Sequence, residues 1–504
     1  MTELNAGRKT AGIDGNVVVT APGKAFLADW VQHHDGAWEP KAVKRVYIAK
    51  ANGKRRPLGI PVIADRALQA LVVNALDPEW EALFEPKSYG FRPGRGCHDA
   101  IDAIHKTAKG KHSKRQWVLD ADLAAAFDRI DHTYLLGALG GFPARGLIEG
   151  WLKAGVIENG RFAPSEEGTP QGGVVSPLLL NVALHGMEDA AGVRYHQTGV
   201  HAGRTVAGSA VVVRYADDLV ALCHSREQAE VVKARLVGWL APRGLAFNED
   251  KTRVVALSEG FDFLGFNVRR YGDKLLIKPS KAAIKRHRER LAAEMKALRG
   301  ANVAAVLKRL NPIIRGWSAY YRTVVSVRIF TGLDNYVWQL TYKWATRSHQ
   351  NKPKRWVVAR YFGKFHKSRR DRWVFGDHDS GVYLLKHAWT NIVRHQMVPG
   401  RASPDDPTLA DYWTRRRKRS RPPLDGFTLG QLRAQHGRCP ACGQLLLHAD
   451  HQPQTLPEWE QWLAVTRNAV RKQAITAEQA SASSDDNAAV HLIHAWCRPP
   501  ANRR

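Results

Sequence analysis

Asp217 and Asp218 are adjacent carboxylates set between two apolar runs, in the stretch VVVRYADDLVALCH that ends at His224. A turn that only had to reverse the chain would use glycine or asparagine. Two neighbouring carboxylates repel unless something positive neutralises them, and oxygen ligands suit Mg²⁺. Taken alone, the pair also reads as a plain Asx-type turn. Asp122 closes another short apolar run, 95 residues before Asp217. In an antiparallel sheet it could meet the pair. Three carboxylates around two metals roughly 3.5–4 Å apart is an arrangement that phosphoryl transfer uses. One metal activates an attacking 3′-hydroxyl and the other holds a triphosphate.

Three further groups could do chemistry. Gly168-Thr-Pro-Gln-Gly-Gly173 leads into a helical stretch, and its glycines allow a base pair or ribose to lie against the backbone. A plain helix-entry loop is the alternative. Lys50, Lys54, Arg55 and Arg56 surround Asn52-Gly53, a hairpin-turn signal, so a basic tip could grip a triphosphate. A solvated basic turn is the alternative. Near the C-terminus, the pairs Cys439-Pro-Ala-Cys442 and His494-Ala-Trp-Cys497, separated by 51 residues, offer four zinc ligands; four unrelated residues are the alternative.

The elements that must position these groups follow from periodicity. Residues 65–83 read as a helix starting at Asp65 as N-cap. Residues 116–121 form a strand that ends in Asp122, followed by a helical run over 123–130. A helix is expected over about 175–188, a hairpin around the Asp pair, and a helix over 226–240. Strands follow at 252–257 and 261–268. Residues 280–349 read as all-helical, with Ser280 capping a helix to about Leu298 and Pro312 opening another. Pro399, Pro404, Pro407, Pro422 and Pro423 mark 398–427 as a basic linker. Residues 428–504 form a small Cys/His module with a helix inserted at 457–480.

Charge narrows the partners. The 504 residues carry 76 Lys+Arg against 47 Asp+Glu, a net +29. Residues 278–420 hold 32 basic and 9 acidic residues, so most of the excess lies there. Trp317, Trp338, Trp344 and Trp373 interleave with these cations. Cations neutralise phosphates and aromatic faces stack on unpaired bases, so this segment reads as a nucleic-acid surface. A helix core under a solvated charged face is the alternative for any single tryptophan. No run of 18 apolar residues occurs, so no membrane span is expected. Residues 1–10 lack an apolar signal core, and five cysteines exclude a disulfide scaffold, which fits a reducing cytoplasm.

Taken together, these motifs resemble the bacterial group II intron-encoded reverse transcriptase/maturases. The resemblance rests on Tyr215-Ala-Asp-Asp218, on Leu119-Asp-Ala-Asp122 with Phe127-Asp-Arg-Ile-Asp-His132, and on Gly168 through Asn181. Arg56-Pro-Leu-Gly-Ile-Pro61, Tyr89-Gly-Phe-Arg-Pro93 and Phe261-Asp-Phe-Leu-Gly-Phe266 complete six motifs in the family's order. It implies an α+β right-hand polymerase: fingers at 1–115, a palm with an antiparallel sheet at 116–277, and an all-helical thumb and maturase domain at 278–397. A basic DNA-binding stretch at 398–427 and an HNH-like zinc-binding module at 428–504 complete the chain.

By the resemblance, Asp122, Asp217 and Asp218 correspond to the Mg²⁺-binding carboxylates. Phe127 corresponds to the aromatic that excludes a 2′-hydroxyl, and Gln171 to a template and nucleotide contact. Lys50, Arg56 and Lys251 correspond to basic residues near the nucleotide, and Phe263, Leu264 and Gly265 to the primer grip. The implied activity is RNA-directed DNA polymerase, with dNTPs, group II intron RNA and target DNA as partners, serving splicing and retrohoming in a bacterial cytoplasm. An RNA-binding maturase without polymerase activity and a defence or retron-type enzyme are the rival readings.

The chain also departs from the family. The family has an N-terminal helical block ahead of the Thr10-Ala-Gly-Ile-Asp-Gly15 stretch, near which this chain begins, and Ala126 stands where a bulkier residue is usual. His448-Ala-Asp-His451 resembles the start of an HNH nuclease centre, with Asp450 as metal ligand and His451 as base. Ala489 and Arg498 stand where the active form has Asn and His, so a degenerate nuclease is expected.

Overall fold

A computed structural model describes residues 7–33, 38–49, 53, 55–366, 369–419, 426–447, 462–469, 474–479 and 490–497. After helix α1 (Ala21–His33), strands β1 (Val43–Ala49) and β2 (Arg55–Ile60) pair antiparallel from Lys44↔Ile60 to Ala49↔Arg55. Arg55 and Arg56 of the basic tip therefore lie on a paired strand. Helix α2 (Ile63–Leu83) begins two residues before the expected start. Asp65 is not its cap. It is buried, and its carboxylate accepts from the indoles of Trp38 at 2.6 Å and Trp151 at 2.8 Å.

The central sheet runs β3-β7-β8-β4-β9, built from β3 (Ser88–Tyr89), β4 (Trp117–Asp122), β7 (Val211–Tyr215), β8 (Asp218–Cys223) and β9 (Arg253–Ala256). Only β3 is parallel to its neighbour. Successive side chains point to opposite faces. Leu119, Val212, Leu219 and Ala221 enter one core with α7 (Ser176–Ala183) and α9 (Arg226–Leu240). Val118, Val213, Val220 and Leu222 enter a second core with α3 (Cys97–Ala108). Both faces are covered, which is why these strands read as unbroken apolar runs.

The remaining elements of this half are short. Only half of residues 123–130 is helical, α4 (Ala126–Arg129), and it starts after Ala125, which takes a left-handed φ of 48°. Helices α5 (His132–Ala138) and α6 (Arg145–Lys153) follow. Strands β5 (Val156–Glu158) and β6 (Arg161–Ala163) extend the β1–β2 sheet. The helix expected over 175–188 breaks at Gly186, φ 90°, into α7 and α8 (Met187–Ala190). The stretch 261–268 is a hairpin rather than one strand. In it, β10 (Phe261–Phe263) turns through Leu264 and Gly265 into β11 (Phe266–Tyr271), which pairs with β12 (Lys274–Pro279).

The basic segment is helical as expected: α10 (Lys281–Ala297), α11 (Val303–Tyr321), α12 (Val327–Ser348) and α13 (Lys354–Tyr361). Ser280 caps α10 by accepting from the Ala283 N–H at 3.1 Å. Pro312 does not open a helix. It lies inside α11, whose cap is Asn302, accepting from the Ala305 N–H at 2.9 Å. Trp344 belongs to this unit's core, whereas Trp373 is exposed. Two short strands, β13 (Phe362–Gly363) and β14 (Val374–Phe375), close the unit.

Residues 398–419 are not a free linker. They fold back on the first half, and α14 (Ala410–Arg419) buries Trp413. Arg95 donates to the carbonyls of Gly400 and Ala402, both at 3.0 Å. Asp99 accepts from the Val398 N–H at 2.8 Å. Beyond this lie α15 (Gly426–Ala434) and a hairpin of β15 (Ile475–Gln479) with β16 (Val490–His494). The helix expected over 457–480 is therefore replaced by strand at 475–479, while 462–469 is helical.

Candidate functional site

The strand register brings the three palm aspartates of the sequence reading together. Asp122, the last residue of β4, stands opposite Asp218, the first of β8. Asp217 occupies the two-residue turn between β7 and β8, and its carbonyl accepts from the Leu123 N–H at 3.2 Å. Residues Asp122 and Asp217 are thus tied through the backbone next to their own side chains. Burial, and then the charges of Asp217 and Asp122, push the Asp218 carboxyl up to about 7. Burial raises Asp217 as well. A carboxyl raised this far is short of positive charge. Lys251 supplies part of it: its ammonium sits 2.5 Å from the Asp122 carboxylate, and that bond raises the lysine's own pKa.

The Gly168 loop is built into the same region. Gly168 has φ 79°, and a Cβ there would lie 2.5 Å from the Asp128 backbone. Thr169 N–H donates to the Phe127 carbonyl at 2.6 Å, and the Gln171 amide donates to Asp128 at 3.2 Å. The Gln171 carbonyl in turn accepts from the Gly59 N–H of β2 at 2.7 Å. The Gly168 loop is therefore tied to the Phe127–Asp128 segment and to the β1–β2 hairpin. Arg56, exposed on β2, is close enough for its charge to act on Asp217. Lys50 lies outside the described residues.

Phe263, Leu264 and Gly265 are placed apart from this group, at the junction with the helices. Leu264 and Gly265 both have positive φ, 51° and 82°, and form the tip of the β10–β11 hairpin. Tyr320 and Tyr321 of α11 hold it, donating to the Leu264 carbonyl at 3.0 Å and the Gly265 carbonyl at 3.2 Å.

The family described as reverse transcriptase (RNA-dependent DNA polymerase) matches residues 48–268, and the group II intron maturase-specific domain matches 284–362. Protein YkfC of Escherichia coli is 34% identical over 310 residues, covering 55% of this chain and 81% of that protein. This chain belongs to the group II intron reverse transcriptase/maturase family. The group II intron-encoded protein LtrA of Lactococcus lactis is 42% identical over 159 residues, covering 31% of this chain and 26% of LtrA. A telomerase structure from Candida albicans aligns at a TM-score of 0.37 and 12% identity, over 66% of this chain and 67% of that one, too distant to bear on the site. The reverse transcriptase is thus an RNA-directed DNA polymerase that carries a maturase domain. Among its described residues no helix is long and apolar enough to cross a membrane.

The reverse transcriptase also has a Cys/His cluster. Donor atoms of Cys439, Cys442, His494 and Cys497 all lie within 4.8 Å of one another. His494 Nδ1 is 3.3 Å from the Cys442 sulfur, and its Nε2 faces the Leu445 carbonyl at 3.2 Å. A carbonyl behind the ring fixes the tautomer that turns Nδ1 toward the sulfurs. Three sulfurs and one imidazole at this spacing are compatible with a tetrahedral zinc site. Asp450 and His451 lie outside the described residues.

Sequence reasoning missed the residues beneath the turn, Arg214 and Asn181. One signal was available: an arginine follows three valines in a run that must be buried on both faces.

Proposed function

We propose that this reverse transcriptase copies RNA into DNA from a 3′-hydroxyl at a DNA target site, and that it binds group II intron RNA to assist splicing and retrohoming. The observation that carries the polymerase reading is the register Asp122↔Asp218 with Asp217 in the adjoining turn. Three carboxylates at one sheet end fit two Mg²⁺ ions, and an Asp218 carboxyl raised to about 7 is what such a set looks like without them. The ions supply Lewis-acid activation of the 3′-hydroxyl and stabilise the leaving pyrophosphate. The chain's own part is positional. Asp122, Asp217 and Asp218 hold the ions. Phe127 closes the sugar pocket against a 2′-hydroxyl. Gln171, supported by Asp128, orients template and dNTP. Lys50, Arg56 and Lys251 bind the triphosphate. Phe263, Leu264 and Gly265, held by the α11 tyrosines, seat the primer.

In this reading residues 1–115 are fingers, 116–277 palm, 278–397 thumb and maturase domain, and 398–427 a DNA-binding stretch. The net +23 of residues 278–420 supports contact with intron RNA and target DNA. The module 428–504 binds zinc through Cys439, Cys442, His494 and Cys497 and touches DNA with a degenerate nuclease centre at Asp450 and His451. The enzyme works in the cytoplasm. Asp217→Asn tests the polymerase reading: primer extension on an RNA template should fall by orders of magnitude, since metal stabilisation of the transition state is worth several kcal/mol. Extension retained within about threefold would remove the metal-site assignment.

A further inference from the structure

Arg214 has no place in the reactions just described, yet it is among the most deeply buried large side chains of the molecule, 2% exposed beneath the Asp pair. A buried guanidinium is tolerated only with its charge compensated and its N–H groups paired. Glu85, then Glu188 and Asp217, supply compensating charge against the neighbouring Arg92. The N–H groups form a fork. Nη1 donates to the Asn181 side-chain oxygen at 2.9 Å and to the Ala216 carbonyl at 3.1 Å, and Nη2 donates to the Ser88 hydroxyl.

The acceptor at Ala216 gives the fork its meaning. Ala216 immediately precedes Asp217 and takes a left-handed φ of 54°, a strained conformation for any residue with a Cβ. Such a conformation persists only where the surroundings hold it. Its N–H is held by the Tyr89 carbonyl at 3.0 Å, and its carbonyl is held by Arg214. Gly90 leaves room for this approach: a Cβ there would stand 3.0 Å from the Ala216 nitrogen. Asn181 braces both sides. Its oxygen accepts from Arg214 while its amide donates to the Gly90 carbonyl at 3.1 Å. Residues 88–90, the end of α7 and the hairpin turn therefore meet at one guanidinium.

We propose that Arg214 is a positioning residue of the polymerase site: by holding the Ala216 carbonyl, with Asn181 and Ser88 as braces, it sets the direction in which Asp217 presents its carboxylate. This rests on the reading of Asp217 as a metal ligand. Lysine cannot replace it, because one ammonium is a point charge and cannot span three acceptors in a planar fork.

The test uses the full chain, with primer extension measured against Mg²⁺ and dNTP concentration beside circular dichroism and thermal unfolding. Arg214→Lys, if folded like the parent, should lose on the order of 100-fold in kcat and need more Mg²⁺ for half-saturation, with dNTP KM and template–primer affinity unchanged. A folded Arg214→Lys with parental kcat and Mg²⁺ dependence overturns the proposal. Should that variant not fold, Asn181→Ala keeps the guanidinium and removes its brace. It should lower kcat and raise the Mg²⁺ requirement in the same sense, and parental values there overturn the proposal too. Asp217→Asn separates the two ideas. If it is inactive while Arg214→Lys is parental, only the role of Arg214 falls. If it is active, the metal-site reading itself falls.

Discussion

The Lys251 ammonium lies 2.5 Å from the Asp122 carboxylate, so a side chain of the chain itself supplies a cation beside the three aspartates. That ion pair competes with any metal for Asp122. Replacing the lysine by methionine should therefore lower the Mg²⁺ concentration for half-maximal extension, by about two- to fivefold for a pair whose lysine is exposed and whose carboxylate is mostly covered. The dNTP KM should rise, since the triphosphate loses a cation. A Mg²⁺ titration of the variant checks both, and an unchanged or higher Mg²⁺ requirement would show that Lys251 does not compete.

Asp218 gives the site a pH dependence of defined sign. Its carboxyl is raised from the ordinary 3.8 to about 7, so between these values the folded, metal-free site holds a proton that the unfolded chain does not. This group favours folding at low pH and loses that contribution as pH rises through about 7. Metal binding must expel the proton. The half-saturating Mg²⁺ concentration should rise about tenfold per pH unit below 7 and level off above it. Extension rates measured across pH 5.5–8.5 at several Mg²⁺ concentrations, on the order of 0.1–30 mM, decide it. A flat Mg²⁺ requirement would mean that Asp218 does not ligate.

The basic helical unit should make affinity for RNA strongly salt-dependent. If residues 278–420 neutralise several phosphates, the logarithm of affinity falls linearly with the logarithm of salt, with a slope near −0.7 to −0.9 per contact. Replacing exposed Lys281, Lys285 and Lys296 of α10 by alanine should flatten that slope by about two to three. An unchanged slope in filter-binding measurements would leave those charges as a solvated face only.

The Cys/His cluster should hold about one zinc per chain, because four donors within 4.8 Å close a tetrahedral site. Cys442→Ser should lose the metal by elemental analysis, and a chelator should unfold residues 428–504 without abolishing primer extension. A closed site leaves no position for a reactive water, and the separate Asp450/His451 centre has Ala489 and Arg498 where the active form has Asn and His, so target DNA incubated with the full chain and Mg²⁺ or Mn²⁺ should keep its second strand intact. Metal-dependent nicking abolished by His451→Ala would identify a working nuclease.

Much of this protein was legible in its sequence. Local rules reach Ser280 as a cap, the helix at 226–240 and the hairpin around the Asp pair, because capping and periodicity act over a few residues. Motif order supplied the family, and ligand spacing the Cys/His cluster. Other features depended on contacts distant in sequence. Asp65 looked like a cap, but indoles at positions 38 and 151 draw its carboxylate into the core. Residues 398–427 read as a linker from their prolines and the basic run Arg415–Arg419. Arg95 and Asp99, some 300 residues away, supply the partners that dock residues 398–419. Arg214 is the clearest case. Its type was visible, but its role depends on where the carbonyl of Ala216 and the amide of Asn181 come to rest, and only the packed sheet and helix decide that. Side-chain chemistry is written residue by residue, whereas burial and partnership are settled by the whole fold.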